Sequence, residues 1–334
     1  MERVLIFLVL ILGLMGCGQK PHLKNEILET NPKLTTKNYV QTLFNTVKHY
    51  PNEPFYYLFV SHEACYFEIL VNGLPIYKYY KPGQVITPID IYSAINKTVK
   101  QTITYKLYPQ TESQEGAGLK TLVDWTKIKI EVFQRNRANT GKNPFSNEKP
   151  IIKHVSLTEF DGKTFIGKGK DYYEYSFTFD AIVPYENTAW ENSADLSKMD
   201  QKELLSRVEN AYKQVWQMKE DKKVDDFFSL LYNKEKENAQ CEYSTENDLT
   251  ESLQSYMKPV LKKDYKMQPL ENYKMVVCGG GRLVCLQQNS LDVRLRGESA
   301  LWAKYKDEDG NIIGNFISLY LHIPKGKTNF EIIR

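Results

Sequence analysis

The chain has 334 residues, of which 42% are hydrophobic and 25% charged, and its formal net charge is +3 at pH 7. This composition excludes a largely disordered chain, and the length is enough for two domains of ordinary size. Lysines and carboxylates alternate in the runs at 219–226 and 233–238. Such mixed runs indicate solvated faces and argue against the basic surface of a nucleic-acid-binding protein.

The first predicted element is an apolar segment at the amino terminus. Residues 4–16 carry no charge and are rich in Leu, Ile and Val. A membrane-spanning helix needs roughly 20 such residues, so this run is too short to cross a bilayer and has the length of a secretory signal. We expect residues 1–16 to be a signal peptide.

This segment ends in a short motif that consists of Leu14, Met15, Gly16 and Cys17. The motif resembles the lipobox of bacterial lipoproteins, in which an apolar residue stands three positions before the cysteine and a small residue directly before it. The resemblance implies that Cys17 is acylated, that the signal peptide is removed, and that several acyl chains hold the protein on a membrane. Because Gly18 stands where retention on the inner membrane uses Asp, the outer membrane is favoured. A plain secretory signal with an incidental cysteine is the alternative.

Residues 17–50 follow as a polar stretch that holds Pro21 and Pro32 and has no sustained apolar period before Tyr39. Polar segments of this kind connect folded units as solvated linkers. We therefore predict a tether between the lipid and the first domain.

Between residues 55 and 185, short segments rich in β-branched and aromatic residues alternate with turn signals such as Asn72-Gly73. Several short strands at this spacing predict an antiparallel β-sandwich, which we place at 51–195. Residues 66–109 resemble the jelly-roll modules in which an "NG" turn and a pair of later strands recur around a sugar-binding edge. That resemblance supports a sandwich and assigns no ligand residue.

The pattern changes to helices after residue 196. Asp200 is a capping residue for a helix over 201–218, since Glu203 follows it three positions later and apolar residues recur at helical spacing. A second helix is predicted over 224–235 and a third after Thr245.

Strands return from residue 273 to the carboxyl terminus. Helices followed by antiparallel strands predict an α+β domain over 196–334. The order and lengths are similar to the cone-shaped fold of nuclear transport factor 2-like proteins over about residues 200–334. The resemblance implies an enclosed pocket, which serves isomerase or dehydratase chemistry in some members and only binding or pairing in many.

The remaining cysteines are Cys65, Cys241, Cys278 and Cys285. Export to an oxidising compartment permits disulfides. If Gly281 and Arg282 form a two-residue turn, Cys278 lies directly opposite Cys285, within bridging range. We predict a disulfide between them, with a buried thiol pair as the alternative. The spacing does not fit a zinc site, and no metal or cofactor is predicted.

Catalytic signals are weak throughout the sequence. Strand alternation over 315–324 puts Ile317, Leu319, Leu321 and Ile323 on the apolar face. His322 falls on the other face, where we expect a solvated or hydrogen-bonded side chain rather than a base. The sequence does not decide whether the side chains of Asp292 and Glu298 point toward the apolar face or away from it. The 23 tyrosines form a recognition face or simply fill strands.

These patterns favour a lipid-anchored extracytoplasmic protein that binds a protein or glycan partner in the bacterial envelope and has no catalytic residues. The alternative is an enzyme or small-molecule binder that uses the pocket of the cone. The two hypotheses differ in what they require: a binder needs an exposed apolar or aromatic patch, whereas an enzyme needs a deep pocket with an acid–base pair.

Overall fold

The computed structural model describes residues 27–111, 118–139 and 147–334. The predicted signal peptide and Cys17 lie outside these ranges. Within them, no helix combines the length and the apolar character that spanning a bilayer requires. The α-helices are α1 (Tyr39–Phe44), α2 (Gln201–Glu220), α3 (Val224–Ser229), α4 (Tyr232–Glu242) and α5 (Glu246–Val260). The strands are β1 (Pro54–Glu63), β2 (Cys65–Val71), β3 (Leu74–Tyr79), β4 (Ile89–Asp90), β5 (Val99–Pro109), β6 (Lys127–Asn136), β7 (Lys149–Val155), β8 (Tyr173–Ala181), β9 (Lys266–Met267), β10 (Tyr273–Cys278), β11 (Leu283–Gln288), β12 (Trp302–Lys306), β13 (Ile312–Phe316), β14 (Leu321–His322) and β15 (Glu331–Ile332).

These strands pair in antiparallel fashion and form four sheets in the described part of the chain. The strand orders are β4-β1-β6-β7, β3-β2-β5-β8, β10-β11-β14-β15 and β13-β12-β9. The described residues are therefore mostly antiparallel sheet with a smaller helical component, which confirms a sheet-rich fold with helices.

The first two of these sheets contribute to one hydrophobic core. On β2, Phe67 and Ile69 are buried, and on β5 Ile103 and Tyr105 are buried. Because side chains alternate along a strand, the residues between them project from the opposite face of the sheet. Strands β1 and β6 bury their own alternate residues in the same core.

A second core forms between the helices and the carboxyl-terminal strands. Asp200 caps α2 by accepting hydrogen bonds from the backbone N–H groups of Lys202 and Glu203, as predicted. The apolar side of α2 is buried, and the Tyr212 hydroxyl donates to the Leu319 carbonyl at 2.7 Å and accepts from the Leu286 N–H at 2.9 Å. Helix α5 begins with a complete capping box at Thr245.

Apolar side chains of residues 27–47 belong to this second core, which corrects the predicted extent of the tether at 17–50. Leu28 forms a bridge with Phe330, and both side chains are fully buried. Tyr39 on α1 is also buried, and its hydroxyl donates to Glu235 at 2.7 Å. The prediction failed because the apolar residues here are too few and too widely spaced to show a period, yet each fits between distant elements.

The β10–β11 hairpin has a different register from the predicted one. Cys278 lies opposite Leu283, and Cys285 lies opposite Val276, because residues 279–282 form a four-residue turn. Three consecutive glycines in this turn have positive φ angles, which permits the longer connection. The direct opposition on which the disulfide prediction rested is therefore wrong. Both cysteines are buried free thiols in this structure, as are Cys65 and Cys241.

Candidate functional site

A groove of about 670 Å³ separates the sheet β3-β2-β5-β8 from the β10–β11 hairpin. Its floor is the face of that sheet opposite the hydrophobic core, and includes Glu68, Leu70, Thr104 and Lys106. Val276 and Cys278 of β10 line the facing wall, together with the glycine turn. This volume is within the range of sites that bind ligands.

Two edge strands border the groove. Strand β3 ends the order of its sheet and β10 ends the order of its own. Four consecutive residues of β3, 75–78, and three of β10, 276–278, line the space. Since successive side chains point to opposite faces, an uninterrupted run of lining residues indicates that the strand edge itself adjoins the groove. Pro75 is consistent with an edge position, because proline cannot donate to a central ladder.

Contacts between the two sides hold the groove at both ends of β3. At one end, the Gly279 N–H donates to the Gly73 carbonyl at 2.9 Å. A side chain at Gly73 would meet the backbone of Gly279 at 3.1 Å, so glycine is required for this approach, and its φ of +77° also favours glycine. At the other end, the Lys78 ammonium lies 3.1 Å from the Glu298 carboxylate. Glu298, whose direction the sequence left open, therefore faces the groove.

An aromatic and charged cluster lies where β3 ends. The Arg296 guanidinium stands 4.3 Å from the ring centre of Tyr80 and 5.5 Å from that of Tyr108. The Tyr80 hydroxyl donates to the carboxylate of Glu68, which lines the groove. Burial and the nearby Glu68 carboxylate both raise the pKa of Tyr80 well above its ordinary value. The hydrogen bond from Tyr80 thus fixes the position of the Glu68 side chain on the groove floor.

The two cysteines predicted as a disulfide lie on this hairpin, and Cys278 lines the groove. They occupy diagonal positions, since Cys278 is opposite Leu283 and Cys285 is two residues further along β11. The adjacent Cys278 thiol, and burial after it, raise the pKa of Cys285 well above its ordinary value. Cys285 is therefore protonated near neutral pH, which makes it a poor nucleophile.

His322 is buried and hydrogen-bonded rather than solvated, which is the second of the two expected environments. The side chain is 4% exposed, and its Nδ1 atom lies 2.7 Å from the Ser193 hydroxyl. Burial, with a smaller contribution from Arg334, lowers the pKa of His322 to about 4. The imidazole is shielded from solvent because the chain around Ser193, distant in sequence, covers the outer side of this strand. As predicted, Ile317, Leu319, Leu321 and Ile323 are all buried.

Among the described residues, no group of three or more histidine, cysteine or carboxylate side chains is arranged to hold a metal ion. Asp292 lies away from the groove and pairs with Arg294 at 2.6 Å. The sequence did not identify the groove, because its two sides are about 200 residues apart in the chain. The one available signal was the run of three glycines at 279–281.

No family model, no curated protein and no solved structure matches this chain.

Proposed function

We propose that the protein is a lipid-anchored, extracytoplasmic and non-catalytic binding protein of the bacterial envelope. Acylation of Cys17 would hold it on a membrane, with the outer membrane favoured. In this proposal, a β-sandwich over 51–195 and an α+β cone-like domain over 196–334 present the groove between them to a partner protein. The groove binds an extended segment of that partner.

The observation that carries this proposal is the pair of edge strands that border one groove. An edge strand presents unpaired N–H and C=O groups, and an extended peptide gains main-chain hydrogen bonds by adding to it. Strands β3 and β10 offer two such edges to the same space. An extended polypeptide carries N–H and C=O groups at the same repeat as the unpaired groups of the edge strands, so it can pair with them along its whole length. A glycan has no such repeat, so we favour a protein partner.

The side chains around the edges support recognition rather than chemistry. Lys78 pairs with Glu298 at 3.1 Å, Lys106 lies 4.0 Å from Glu174, and Tyr80 donates to Glu68. These groups are mutually compensated, and paired charges at a rim chiefly fix the register and identity of a partner. The apolar residues Leu70, Ile76 and Val276 provide the surface that a bound segment would bury.

Site-specific photo-crosslinking in intact cells tests this proposal. A photoreactive residue is placed at Ile76 on β3, at Val276 on β10, and at Ile182 as a control. Ile182 is 69% exposed and does not line the groove. We expect adducts from positions 76 and 276 to map to the same short segment of one partner, and position 182 to give no such adduct.

The same experiment in a Cys17→Ala background separates the anchor from the groove. If anchoring brings the protein to its partner, adducts at position 76 fall sharply in this variant while the folded protein remains present. Adducts that are as frequent at position 182 as at 76, or that map to unrelated proteins from the two groove positions, contradict the proposal.

A further inference from the structure

A second cavity, of about 280 Å³, lies among the helices. It is formed by the end of α2, by α3, α4 and α5, and by the segment 315–318 at the end of β13. Its lining is apolar at Phe227, Phe316 and Ile317 and polar at Lys219 and Lys234. Only Ser318 lines both this cavity and the groove.

Lys219 is the unusual group in this cavity. The residue is only 5% exposed, although it belongs to the charged run whose sequence predicts a solvated face. Among the residues that the structure describes, its ammonium has neither a carboxylate within 4.0 Å nor a hydrogen-bond acceptor, and its neighbour is the Phe227 ring at 4.5 Å. Burying an ammonium without a partner is costly, so the position calls for a compensating charge.

The Lys234 ammonium, which also lines the cavity, has a carboxylate beside it. Glu235, 6% exposed, accepts hydrogen bonds from the hydroxyls of Tyr39 and Tyr256, both at 2.7 Å, and lies 3.9 Å from the Lys234 ammonium. Of the two ammonium groups that line this cavity, only Lys234 has a carboxylate of the described residues within 4.0 Å. One positive charge is left uncompensated, and it belongs to Lys219.

We infer that this cavity binds a small organic carboxylate, whose negative group pairs with Lys219 and whose apolar body packs against Phe227, Phe316 and Ile317. The ammonium supplies a charge-assisted hydrogen bond to a carboxylate oxygen. The apolar wall favours an organic body over a bare inorganic anion, and the volume limits the ligand to a small one. Ser255 and Asn315, which also line the cavity, supply further polar contacts. This activity is independent of partner binding in the groove.

Calorimetric titration with benzoate tests the inference, with benzamide as its neutral analogue and inorganic phosphate as the bare anion. The folded protein is compared with Lys219→Met, which keeps an unbranched side chain of similar size and removes the charge. Lys213→Met is the matched control, because Lys213 is an exposed lysine on the same helix. We expect benzoate to bind the original protein and Lys213→Met alike, and to bind Lys219→Met roughly tenfold or more weakly.

The comparison of benzoate with benzamide on the original protein needs no variant. It therefore tests whether the negative charge of the ligand contributes to binding even if Lys219→Met fails to fold. Benzamide binding as tightly as benzoate overturns the inference, because the charge would then contribute nothing. Equal benzoate affinity for Lys219→Met, binding of phosphate alone, or no binding of benzoate also overturns it. If the crosslinking experiment finds no partner for the groove, the expected result of the benzoate titration stays the same.

Discussion

The groove and the helical cavity differ in how their charged residues are paired. In the groove, partly exposed lysines and glutamates pair with one another, as Lys78 does with Glu298. Beside the helical cavity, Glu235 accepts hydrogen bonds from two tyrosines and lies near the Lys234 ammonium. Lys219, in contrast, has no anionic partner among the described residues. Paired, solvated charges contribute little stability and mainly define a surface. A buried and uncompensated charge costs stability, which a bound ligand would restore.

The largest effect is expected from removal of the Glu235 carboxylate, which contacts Lys234 and Tyr256 at the edge of the helical cavity. Glu235→Ala would leave Lys234 and the hydroxyls of Tyr39 and Tyr256 buried without their partner, so we expect the free energy of unfolding to fall by roughly 3–5 kcal/mol. Urea denaturation measures this change. Glu308→Ala, at an exposed glutamate, should change stability by less than about 0.5 kcal/mol. Similar losses in both variants would refute the contrast between the two regions.

Lys219 should make stability depend on pH in the alkaline range. Burial, and then the charge of Lys234, lower the pKa of Lys219 to about 8, below its ordinary value of 10.5. Between these two values the unfolded chain binds the proton and the folded protein does not, so stability rises with pH from about 8 to 10.5. The contribution is up to about 3 kcal/mol. Lys219→Met is therefore more stable near pH 7, and we expect its advantage in urea denaturation to shrink as the pH approaches 10. A constant difference would contradict the uncompensated charge.

His322 should make stability depend on pH in the acidic range. Its pKa of about 4 in the folded protein lies below the ordinary value of 6.5. The unfolded chain therefore binds more protons between these values, and stability falls as the pH drops from 6.5 to 4, by roughly 2–3 kcal/mol. We expect the difference in stability between the original protein and His322→Phe to change over this window, as measured by thermal denaturation at several pH values. Parallel curves would show that the imidazole does not titrate abnormally.

The smallest effect is expected at the groove. Lys78→Met breaks the pair with Glu298, whose side chain is 34% exposed, so the free energy of unfolding should fall by less than about 1 kcal/mol. Partner crosslinking from position 76 should nevertheless decrease, since Lys78 lines the groove. A large loss of stability with unchanged crosslinking would contradict the interpretation that the paired charges of the groove serve partner recognition rather than stability.

Local sequence patterns predicted much of the fold and little of either site. The Asp200 cap and the helix that begins after Thr245 depend on neighbours a few residues apart, and the structure has both. The β10–β11 register failed because two-residue and four-residue turns both suit a run of glycines. The charged runs at 219–226 and 233–238 were interpreted as solvated, yet they contain buried Lys219 and Glu235.

Those failures share one physical cause. A side chain is buried when distant segments cover it, and the sequence near it does not record which segments these are. Ser193 covers His322 across 129 residues, and Tyr39 reaches Glu235 across 196. The groove likewise depends on a contact between Gly73 and Gly279. Local periodicity predicts elements, whereas sites between elements require the assembled chain.

Backbone amide hydrogen exchange tests the central claim most directly. The partner segment found by crosslinking is synthesised as a peptide, and exchange rates over residues 76–78 and 276–278 are measured with and without it. Strand addition predicts that amides on at least one of these edges become protected, while those of the distant edge strand β7 keep their rates. Peptide binding that leaves both edges exchanging at their original rates would contradict the proposal that this protein recognises an extended chain through its open strands.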